Sequence, residues 1–472
     1  MEPTVRSFSA ECDPLRLIAR YPDCYPGLLE SGSRHQATVT AAAPATEDSR
    51  FDILPMASGA SLRLTREGVL LGEAFARGQG FFDALEGWCR EVRMDASRDG
   101  DEAYRAGAPR LPFRGGWIVY LGYELAGEVE PGLRLPRSTD ALEALAIRAP
   151  AAWVRDRHSG QGWLIAEPGQ EHLLERFESH LAQAPAQASA IAAAESPGLM
   201  LREEPEGDFI RRVERALEYI AAGDIYQANL SRGWTGTADR NLDPVELYRR
   251  LRAANPGPFC ALLRAGDFAV VSSSPERLMM SDGHQVFTRP IAGTRPRGAT
   301  PEADAALVRQ LLDNEKEKAE HVMLIDLERN DLGRVCAGGS VRVDEFMSVE
   351  SYAHVHHIVS NVTGTLRPGI SPVQVLRAVF PGGTITGCPK FRCMQIIAEL
   401  EGVGRGAYTG SLGYINTDGS ADFNILIRTM SVNGTRLDFR AGAGIVADSD
   451  PQRELAETRA KAEGLRRAVA AT

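Results

Sequence analysis

The sequence lacks the cysteine patterns of a disulfide-stabilised or zinc-binding protein. Its seven cysteines are odd in number and include no C-x-x-C pair. Paired or closely spaced cysteines are expected in both of those classes. Reduced thiols, as in the cytosol, are therefore expected.

The sequence also lacks long hydrophobic runs and a targeting segment. No window approaches eighteen consecutive apolar residues, and the first residues, MEPTVRSFSAECDP, show no basic stretch followed by an apolar one. Membrane spans and secretory signals need these patterns. We therefore expect a cytoplasmic protein that does not enter a membrane.

An excess of positive charge is missing as well. The 472 residues carry a net charge of −10, and Lys and Arg are dispersed along the chain. A nucleic-acid surface needs a concentrated basic face, so no nucleic-acid partner is expected. Hydrophobic content of 43% with 25% charged residues is ordinary for a globular protein. Small anionic substrates stay possible, because a few arginines and backbone N–H groups can bind them.

Several common motifs are incomplete. Residues 442–447 match G-x-G-x-x-[GA], but too little chain follows for a dinucleotide-binding unit. Residues 382–389 have phosphate-loop glycines without the required Lys, and residues 326–331 lack the glycine of a calcium loop. No G-x-S-x-G or G-x-C-x-G elbow occurs. The chain therefore has no predicted hydrolase or glutaminase nucleophile of its own.

Composition divides the chain into three predicted parts. Residues 182–197 consist almost entirely of Ala, Gln, Ser and Pro, which favours a linker. We predict a β-rich segment at 1–181, a linker at 182–204 and a mixed α and β catalytic domain at 205–468. Within that domain, Asp208, Ser371 and Pro389 are predicted to open helices, and residues 267–275, 284–291 and 423–430 are predicted strands.

Glycine-punctuated turns with polar side chains dominate the last third of the sequence. They are EHVMLIDLERNDLGR (320–334), HVHHIVSNVTG (354–364), FPGGTITGCPK (380–390), GAYTGSLGY (406–414) and GAGIVADSDP (442–451). Such turns mount chemically active groups on a rigid frame. Two predicted helices carry Glu320 and, one turn apart, Glu457 and Lys461. Taken alone, each of these residues is typical of a solvated helix face.

Together with GDIYQANLS (223–231), SSPERL (273–278), RPIAGTRPRG (289–298) and IRT (427–429), these motifs resemble the chorismate-utilising enzymes. The resemblance is strong over residues 205–468 and weak before them. It implies a mixed α/β fold in which two antiparallel sheets pack as a sandwich with helices outside.

The resemblance also implies a magnesium-dependent site. Glu320 and Glu457 match the Mg²⁺ ligands, and waters and a substrate carboxylate would complete the coordination. The implied substrate contacts are Thr384, Tyr408, Arg428, Gly442 and Gly444. A surface ion pair is the alternative reading of Arg428.

Four further residues, in addition to Ala292, carry implied catalytic roles. Glu276 matches a general acid for loss of the C4 hydroxyl. Gln227 stands where water-adding relatives carry a Lys, which favours ammonia as the nucleophile. His357 matches a residue linked to pyruvate loss, although a structural role beside His354 and His356 is also open. Lys461 would face the metal-bound substrate.

Ala292 bears on the site of amination. Many enzymes that aminate chorismate at C4 carry Lys here, whereas Ala is usual in those that aminate C2 to form anthranilate. The surrounding motifs instead resemble the aminodeoxychorismate synthases, which act at C4. Residues 28–31 (LLES) resemble the tryptophan-binding turn of anthranilate synthases and so favour C2, although related aminodeoxychorismate synthases can keep a similar N-terminal pocket. Amination at C4 is favoured and amination at C2 is the alternative; a non-catalytic chorismate-binding subunit is a remote third. Either amination implies a separate glutamine amidotransferase subunit as the source of ammonia.

Overall fold

The computed structural model describes residues 3–8, 13–31, 50–72, 80–92, 111–183, 199–351 and 355–470. Within these ranges the chain forms two antiparallel sheets and eleven α-helices. Among the described helices, none combines the length and the apolar character that a membrane crossing requires.

The first sheet has twelve described strands, in the order β1-β9-β8-β3-β2-β12-β13-β22-β23-β11-β10, with β19 also paired to β11. The strands are β1 (Thr4–Phe8), β2 (Gly27–Glu30), β3 (Phe51–Met56), β8 (Ala151–Asp156), β9 (Gly162–Ala166), β10 (Met200–Glu203), β11 (Gln227–Thr237), β12 (Phe259–Ala265), β13 (Phe268–Ser274), β19 (Gly387–Cys388), β22 (Thr429–Asn433) and β23 (Arg436–Ile445).

The second sheet has eleven described strands, in the order β16-β18-β15-β14-β21-β20-β6-β7-β4-β5, with β17 paired to β18. The strands are β4 (Ser61–Thr65), β5 (Leu70–Gly72), β6 (Gly116–Leu121), β7 (Leu142–Ala149), β14 (Arg277–Ser281), β15 (Gln285–Thr288), β16 (Ile291–Pro296), β17 (Arg342–Ser351), β18 (Val355–Thr365), β20 (Ser411–Asn416) and β21 (Ala421–Ile425).

The helices are α1 (Pro14–Arg20), α2 (Phe81–Val92), α3 (Ala126–Val129), α4 (His172–Gln183), α5 (Glu206–Ala221), α6 (Pro244–Ala254), α7 (Pro301–Asp313), α8 (Glu315–Gly333), α9 (Pro372–Val379), α10 (Lys390–Glu401) and α11 (Pro451–Ala470).

The two sheets pack face to face, as β6 illustrates. Ile118 and Tyr120 point into a core that they share with Val154 and Val270 of the first sheet. The alternating residue Val119 faces the other side, in a core that includes helices α2, α8, α9 and α10. Helices α1, α4, α6 and α11 cover the outer face of the first sheet. The predicted sandwich with outer helices is confirmed.

Both sheets combine strands from the two predicted segments. β2 pairs with β12 in the first sheet, and β6 pairs with β20 in the second. The end of the predicted linker, Met200–Glu203, forms the edge strand β10, and residues 184–198 lie outside the described residues. The division of the chain into segments at 1–181 and 205–468 stays a prediction. In the structure, both sheets contain hydrogen-bonded strands from the two segments.

Most predicted helix starts match the structure. Ser371 caps α9 in a capping box with Gln374, and Pro389 precedes α10, which ends at Gly402 with a φ of 64°. Asp208 was wrong as a helix cap: α5 begins at Glu206 behind Pro205, so Asp208 lies in its first turn. An acidic residue favours that turn as well, because its charge interacts with the helix dipole.

Two predicted strands are interrupted. The run 284–291 divides into β15 and β16, and the run 423–430 divides into β21 and β22. In the second case Arg428 adopts a φ of 51°, which a continuous strand does not allow. The interruption lets the chain pass from the second sheet to the first.

Candidate active site

The candidate site lies where the chain crosses between the sheets. Glu276 follows β13 of the first sheet and precedes β14 of the second, and Arg428 lies on the return from β21 to β22. The two crossings are hydrogen-bonded to the strands beside them: Ile425 N–H donates to the Glu276 carbonyl (3.0 Å) and Ser273 N–H donates to the Arg428 carbonyl (3.1 Å). This backbone pairing holds the acid and the arginine in one place.

Glu276 is buried, with 5% of its surface exposed. The Thr384 hydroxyl donates a 2.7 Å hydrogen bond to its Oε1. Burial raises the pKa of Glu276 to about 7, and the Thr384 bond and the charges of Lys461 and Arg428 offset this only in part. A carboxyl with such a pKa can hold a proton at neutral pH and release it to a leaving group.

His357 and Ala292 lie close together on the second sheet. His357 is on β18, and Ala292 on β16 pairs with its neighbour Ile358. The Nδ1 of His357 lies 2.9 Å from the Thr294 hydroxyl. Burial, helped by the charge of Arg428, lowers the pKa of His357 to about 4, so its ring is neutral at pH 7. A neutral ring can accept a proton through whichever nitrogen is unprotonated.

Gln227 and Glu320 meet beside a glycine. The Gln227 Nε2 donates to the Glu320 Oε1 at 3.0 Å. A Cβ on Gly444 would lie 2.5 Å from the Gln227 Nε2 and 3.5 Å from the Glu320 Oε1. A side chain at residue 444 would therefore push against the Gln227 amide, and glycine lets that amide lie against strand β23. The Gln227 Oε1 is buried and has no hydrogen-bond partner among the described residues.

Lys461 joins helix α11 to the same strand. Its Nζ lies 2.7 Å from the Glu457 Oε1, as predicted from their spacing of one turn, and 3.1 Å from the Gly442 carbonyl. A Cβ on Gly442 would lie 2.5 Å from the Tyr408 hydroxyl and 2.7 Å from the Leu230 carbonyl. Tyr408 therefore reaches the backbone of β23 only because residue 442 is glycine.

The turn that carries Tyr408 is held by two carboxyls of the first predicted segment. Glu124 accepts hydrogen bonds from the N–H groups of Arg405 (2.6 Å) and Gly406 (3.1 Å), and Asp140 accepts one from Ala407 N–H (2.8 Å). Both carboxyls are buried. Satisfying three backbone donors inside the protein gives the turn a single conformation.

Arg405 connects this turn to the other elements that carry predicted substrate contacts. Its guanidinium donates to the carbonyls of Asn229 (2.6 Å) and Ile385 (3.1 Å) and forms an ion pair with Glu401 (2.7 Å). Ile385 follows Thr384 directly, and Asn229 pairs with Gly444. One buried side chain therefore links the turns and strands that carry three predicted substrate contacts.

The structure thus places the predicted residues in one region. Some of them are in direct contact, and Glu276 and His357 are close enough to Lys461 and Arg428 for those charges to shift their pKa values. Sequence reasoning missed Thr294, Asn229 and Arg405, although all three stand in or beside the quoted motifs. It also missed Glu328, a buried carboxyl on α8. His354 lies outside the described residues. The roles of the site residues stay predictions.

The predicted magnesium ligands offer hard oxygen donors. Glu320 lies beside Gly444, and Glu457 is linked to the same strand through Lys461, which it pairs with and which donates to the Gly442 carbonyl. Among the described residues, no group of three or more His, Cys, Asp or Glu could hold a metal. Two carboxylates with otherwise open positions fit an ion that keeps waters and binds substrate oxygens.

Known proteins are similar to this chain in sequence. Residues 81–467 match the family model described as chorismate binding enzyme. Aminodeoxychorismate synthase component 1 of Bacillus subtilis is 44% identical over 367 residues, covering 76% of this chain and 77% of that protein. Anthranilate synthase component 1 of Pseudomonas putida is 43% identical over 382 residues, covering 77% of each chain.

Solved structures agree with these matches. The crystal structure of anthranilate synthase component I from Streptococcus pneumoniae superimposes with a TM-score of 0.76 at 32% identity, covering 92% of this chain and 95% of that one. The family match includes the strands and helices that carry every predicted site residue. The chain belongs to the family of chorismate-binding enzymes.

Proposed function

We propose that this protein is the chorismate-aminating component of an aminodeoxychorismate synthase. It would convert chorismate and ammonia into 4-amino-4-deoxychorismate, the precursor of 4-aminobenzoate in folate biosynthesis. The choice of ammonia as the nucleophile rests on the chemistry, burial and hydrogen bonding of the Gln227 side chain. The preference for C4 rests on the quoted motifs, and the similarity to the Bacillus subtilis protein is compatible with it.

Gln227 suits ammonia better than water as the nucleophile. Its amide cannot take a proton from water, so it cannot generate a hydroxide for attack. Its buried Oε1 is an acceptor without a partner among the described residues, while its Nε2 is held by Glu320. Leaving a buried acceptor unpaired costs about 1–3 kcal/mol. An N–H group of ammonia would remove that cost and would be oriented for attack.

Glu276 would supply the proton for the departing C4 hydroxyl. The C–O bond breaks, the oxygen leaves with the bonding pair and the Glu276 proton, and water is formed. Its pKa of about 7 allows both protonation states near neutral pH. Thr384 orients the carboxyl through its 2.7 Å hydrogen bond.

The remaining site residues would bind the two substrate carboxylates. Arg428, with the Tyr408 hydroxyl and the backbone N–H groups at Gly442 and Gly444, would hold one of them. Mg²⁺ held by Glu320 and Glu457 would neutralise the charge of the other. A separate glutamine amidotransferase subunit would supply ammonia. The cytoplasm is the proposed location.

Ala292 favours a second candidate, anthranilate synthase component I. Its methyl group offers no amine that could add to C2 and direct ammonia to C4. Ala292 lies on β16 next to the neutral His357, where a base for pyruvate elimination would be placed. Amination at C4 must then proceed without a lysine adduct at this position.

The product distinguishes the two candidates. The enzyme is incubated with chorismate, Mg²⁺ and ammonium, and anthranilate fluorescence is followed. Addition of 4-amino-4-deoxychorismate lyase should then yield 4-aminobenzoate. Anthranilate as the main product in the absence of the lyase would refute amination at C4.

The metal assignment has its own test. Glu320→Ala should abolish both turnover and Mg²⁺ binding measured by calorimetry in the presence of chorismate. Glu315→Ala is the matched control, because Glu315 lies on the same helix and its side chain is 87% exposed. Full Mg²⁺ binding by Glu320→Ala would contradict the assignment.

A further inference from the structure

The first half of helix α8 meets the protein core through one side chain. Among residues 315–323, leaving aside 316, His321 is buried, with 0% of its surface exposed, and the others are half-buried or exposed. The next buried residues are Leu324 and Ile325, about one turn farther along. Most of what holds a helix in a protein is the packing of its buried face. The part of α8 that carries Glu320 is therefore held mainly at His321.

The His321 ring makes its hydrogen bond to the second sheet. Its Nε2 lies 2.7 Å from the Oγ of Ser360 on strand β18, and Ser360 is also 0% exposed. In the part of the chain that the structure describes, the buried Nδ1 of the same ring has no hydrogen-bond partner. Breaking a hydrogen bond between two buried groups leaves both without water to replace it. This contact therefore fixes the ring, and the helix with it, against β18.

A bulge in strand β17 completes the contact. The register between β17 and β18 shifts between Glu345 and Ser348, at the level of Ser360. In the bulge Met347 has a φ of 51°, which residues other than glycine adopt rarely, and its N–H donates to the Ser360 Oγ at 2.9 Å. Because the Ser360 oxygen accepts this bond, its own proton is free to donate to the His321 Nε2. The backbone of β17 thus orients the hydroxyl toward the ring.

Glu320 and His321 connect the same helix to different sheets. The Glu320 Oε1 accepts a 3.0 Å hydrogen bond from Gln227 at the start of β11 in the first sheet, whereas His321 binds β18 in the second. Adjacent side chains of an α-helix point about 100° apart. A rotation of α8 would therefore disturb both contacts together. The nearby ion pair of Glu317 with Arg295 is partly exposed, so it restrains the helix less.

We propose that His321 is a positioning residue that holds the Glu320 carboxylate where it binds Mg²⁺, through the hydrogen bond between His321 and Ser360. This inference rests on the proposed role of Glu320 as a metal ligand. His321 would act through the helix and not by contact with the ion. Metal sites require their ligand atoms to lie within about 0.2 Å of the preferred distance. A small rotation of α8 should therefore lower the affinity for Mg²⁺.

Two neutral substitutions separate the hydrogen bond from the packing of the ring. His321→Leu fills the buried position without an acceptor, whereas His321→Gln offers an amide oxygen to the Ser360 hydroxyl; both are favourable residues in a helix. Mg²⁺ binding is measured by calorimetry with chorismate present and ammonium absent. The Kd for Mg²⁺ should rise by about tenfold in His321→Leu, as on losing the support of a metal ligand, and stay within about threefold of the wild type in His321→Gln.

Val322→Ala is the matched control. Val322 follows His321 on the same helix and is 43% exposed, so its truncation should leave the Kd unchanged. Thermal unfolding without Mg²⁺ shows whether each variant is folded. Should His321→Leu not fold, Ser360→Ala removes the same hydrogen bond from the strand and should raise the Kd equally. An unchanged Kd in the folded variant that lacks the bond, or an equal rise in His321→Leu and His321→Gln, would overturn the positioning role.

Glu320→Ala distinguishes the failure of this inference from that of the metal assignment. Normal Mg²⁺ binding by Glu320→Ala would refute the metal assignment and the positioning role together. Loss of binding in Glu320→Ala with normal binding in His321→Leu would overturn the positioning role alone. Because binding is followed without turnover, the site of amination does not enter this comparison.

Discussion

Two buried glutamates of this protein differ in how their charge is balanced. Glu276 is 5% exposed and Glu401 is 3% exposed. Glu401 accepts hydrogen bonds from Arg405 (2.7 Å), Arg440 (3.2 Å) and the N–H of Ser231 (2.8 Å). The side chain of Glu276 accepts a hydrogen bond from the Thr384 hydroxyl.

This difference reverses the direction of the pKa shift. Burial raises the pKa of both carboxyls, but the charges of Arg405 and Arg440 outweigh it at Glu401, whose pKa is lowered. At Glu276 burial dominates and the pKa rises to about 7. Burial alone therefore does not make an acid; a buried carboxyl becomes a proton donor where close cationic partners are few.

The largest expected effect is on turnover, in Glu276→Gln. The amide cannot donate a proton with the strength of a carboxylic acid, so kcat should fall by about 10²- to 10⁴-fold. At about pH 4, stability should change little, because the Glu276 carboxyl is then neutral in the folded state and largely neutral in the unfolded state. Steady-state kinetics and thermal unfolding check the two parts. A large loss of stability would mean that Glu276 resembles Glu401 after all.

Arg405→Met should reduce stability more than turnover, the reverse of Glu276→Gln. It leaves Glu401 buried beside one remaining arginine and unpairs the carbonyls of Asn229 and Ile385, which should cost about 3–5 kcal/mol. Denaturant unfolding measures this loss. Arg459→Met is the control, since its surface ion pairs should contribute no more than about 1 kcal/mol. Similar losses in both variants would contradict the distinction between buried and exposed pairs.

The pH dependence of stability provides a third comparison. An unfolded glutamate has a pKa near 4.5, so between about pH 4.5 and 7 the folded state binds the Glu276 proton more tightly. Stability from this group is fully present below that range and is lost as the pH rises through 7, by on the order of 3 kcal/mol. Glu276→Gln should therefore gain stability relative to the wild type between pH 5 and 8 in denaturant titrations. A constant difference would refute the raised pKa.

Glu401 should show the opposite sign. Its lowered pKa means that it contributes stability above its unfolded pKa and loses it as the pH falls.

The smallest effect is expected at Gly442, which lies between the surroundings of Glu401 and those of Glu276. Gly442 pairs with Ser231, which binds Glu401, while its carbonyl accepts from Lys461. Gly442→Ala would place a Cβ 2.7 Å from the Leu230 carbonyl and should weaken chorismate binding by about 1–3 kcal/mol, seen as a raised KM. Gly87→Ala on α2 meets no atom within 4 Å and should leave KM unchanged. An unchanged KM in Gly442→Ala would remove this strand from the substrate site.

Local sequence signals predicted much of the secondary structure. The capping serine of α9 and the proline before α10 each act over a few residues, and the structure agrees with them. The crossings at Glu276 and Arg428 were not predicted, because a strand that changes sheets keeps its apolar character. The pairing of β2 with β12 was also out of reach, since it joins residues more than 200 positions apart.

The site was predicted through motifs rather than through physical pattern. The contact between Gln227 and Glu320 spans 93 residues of sequence, and no periodicity indicates it. Glu328 shows the limit more clearly. Its motif was recognised, but a glutamate in a charged helix gives no sign that its carboxyl is buried until α8 packs against the Thr384 turn.

The hydrogen bonds from Glu124 and Asp140 to the turn at residues 405–407 have a consequence for engineering. Chimeras that exchange the first 181 residues with those of a relative would need to keep both carboxylates and the strand registers of both sheets. A relative with a different side chain at position 124 or 140 would displace Tyr408 without altering any residue after 204. Recombination sites that follow the composition of the chain would thus separate the candidate site from the carboxyls that hold its Tyr408 turn.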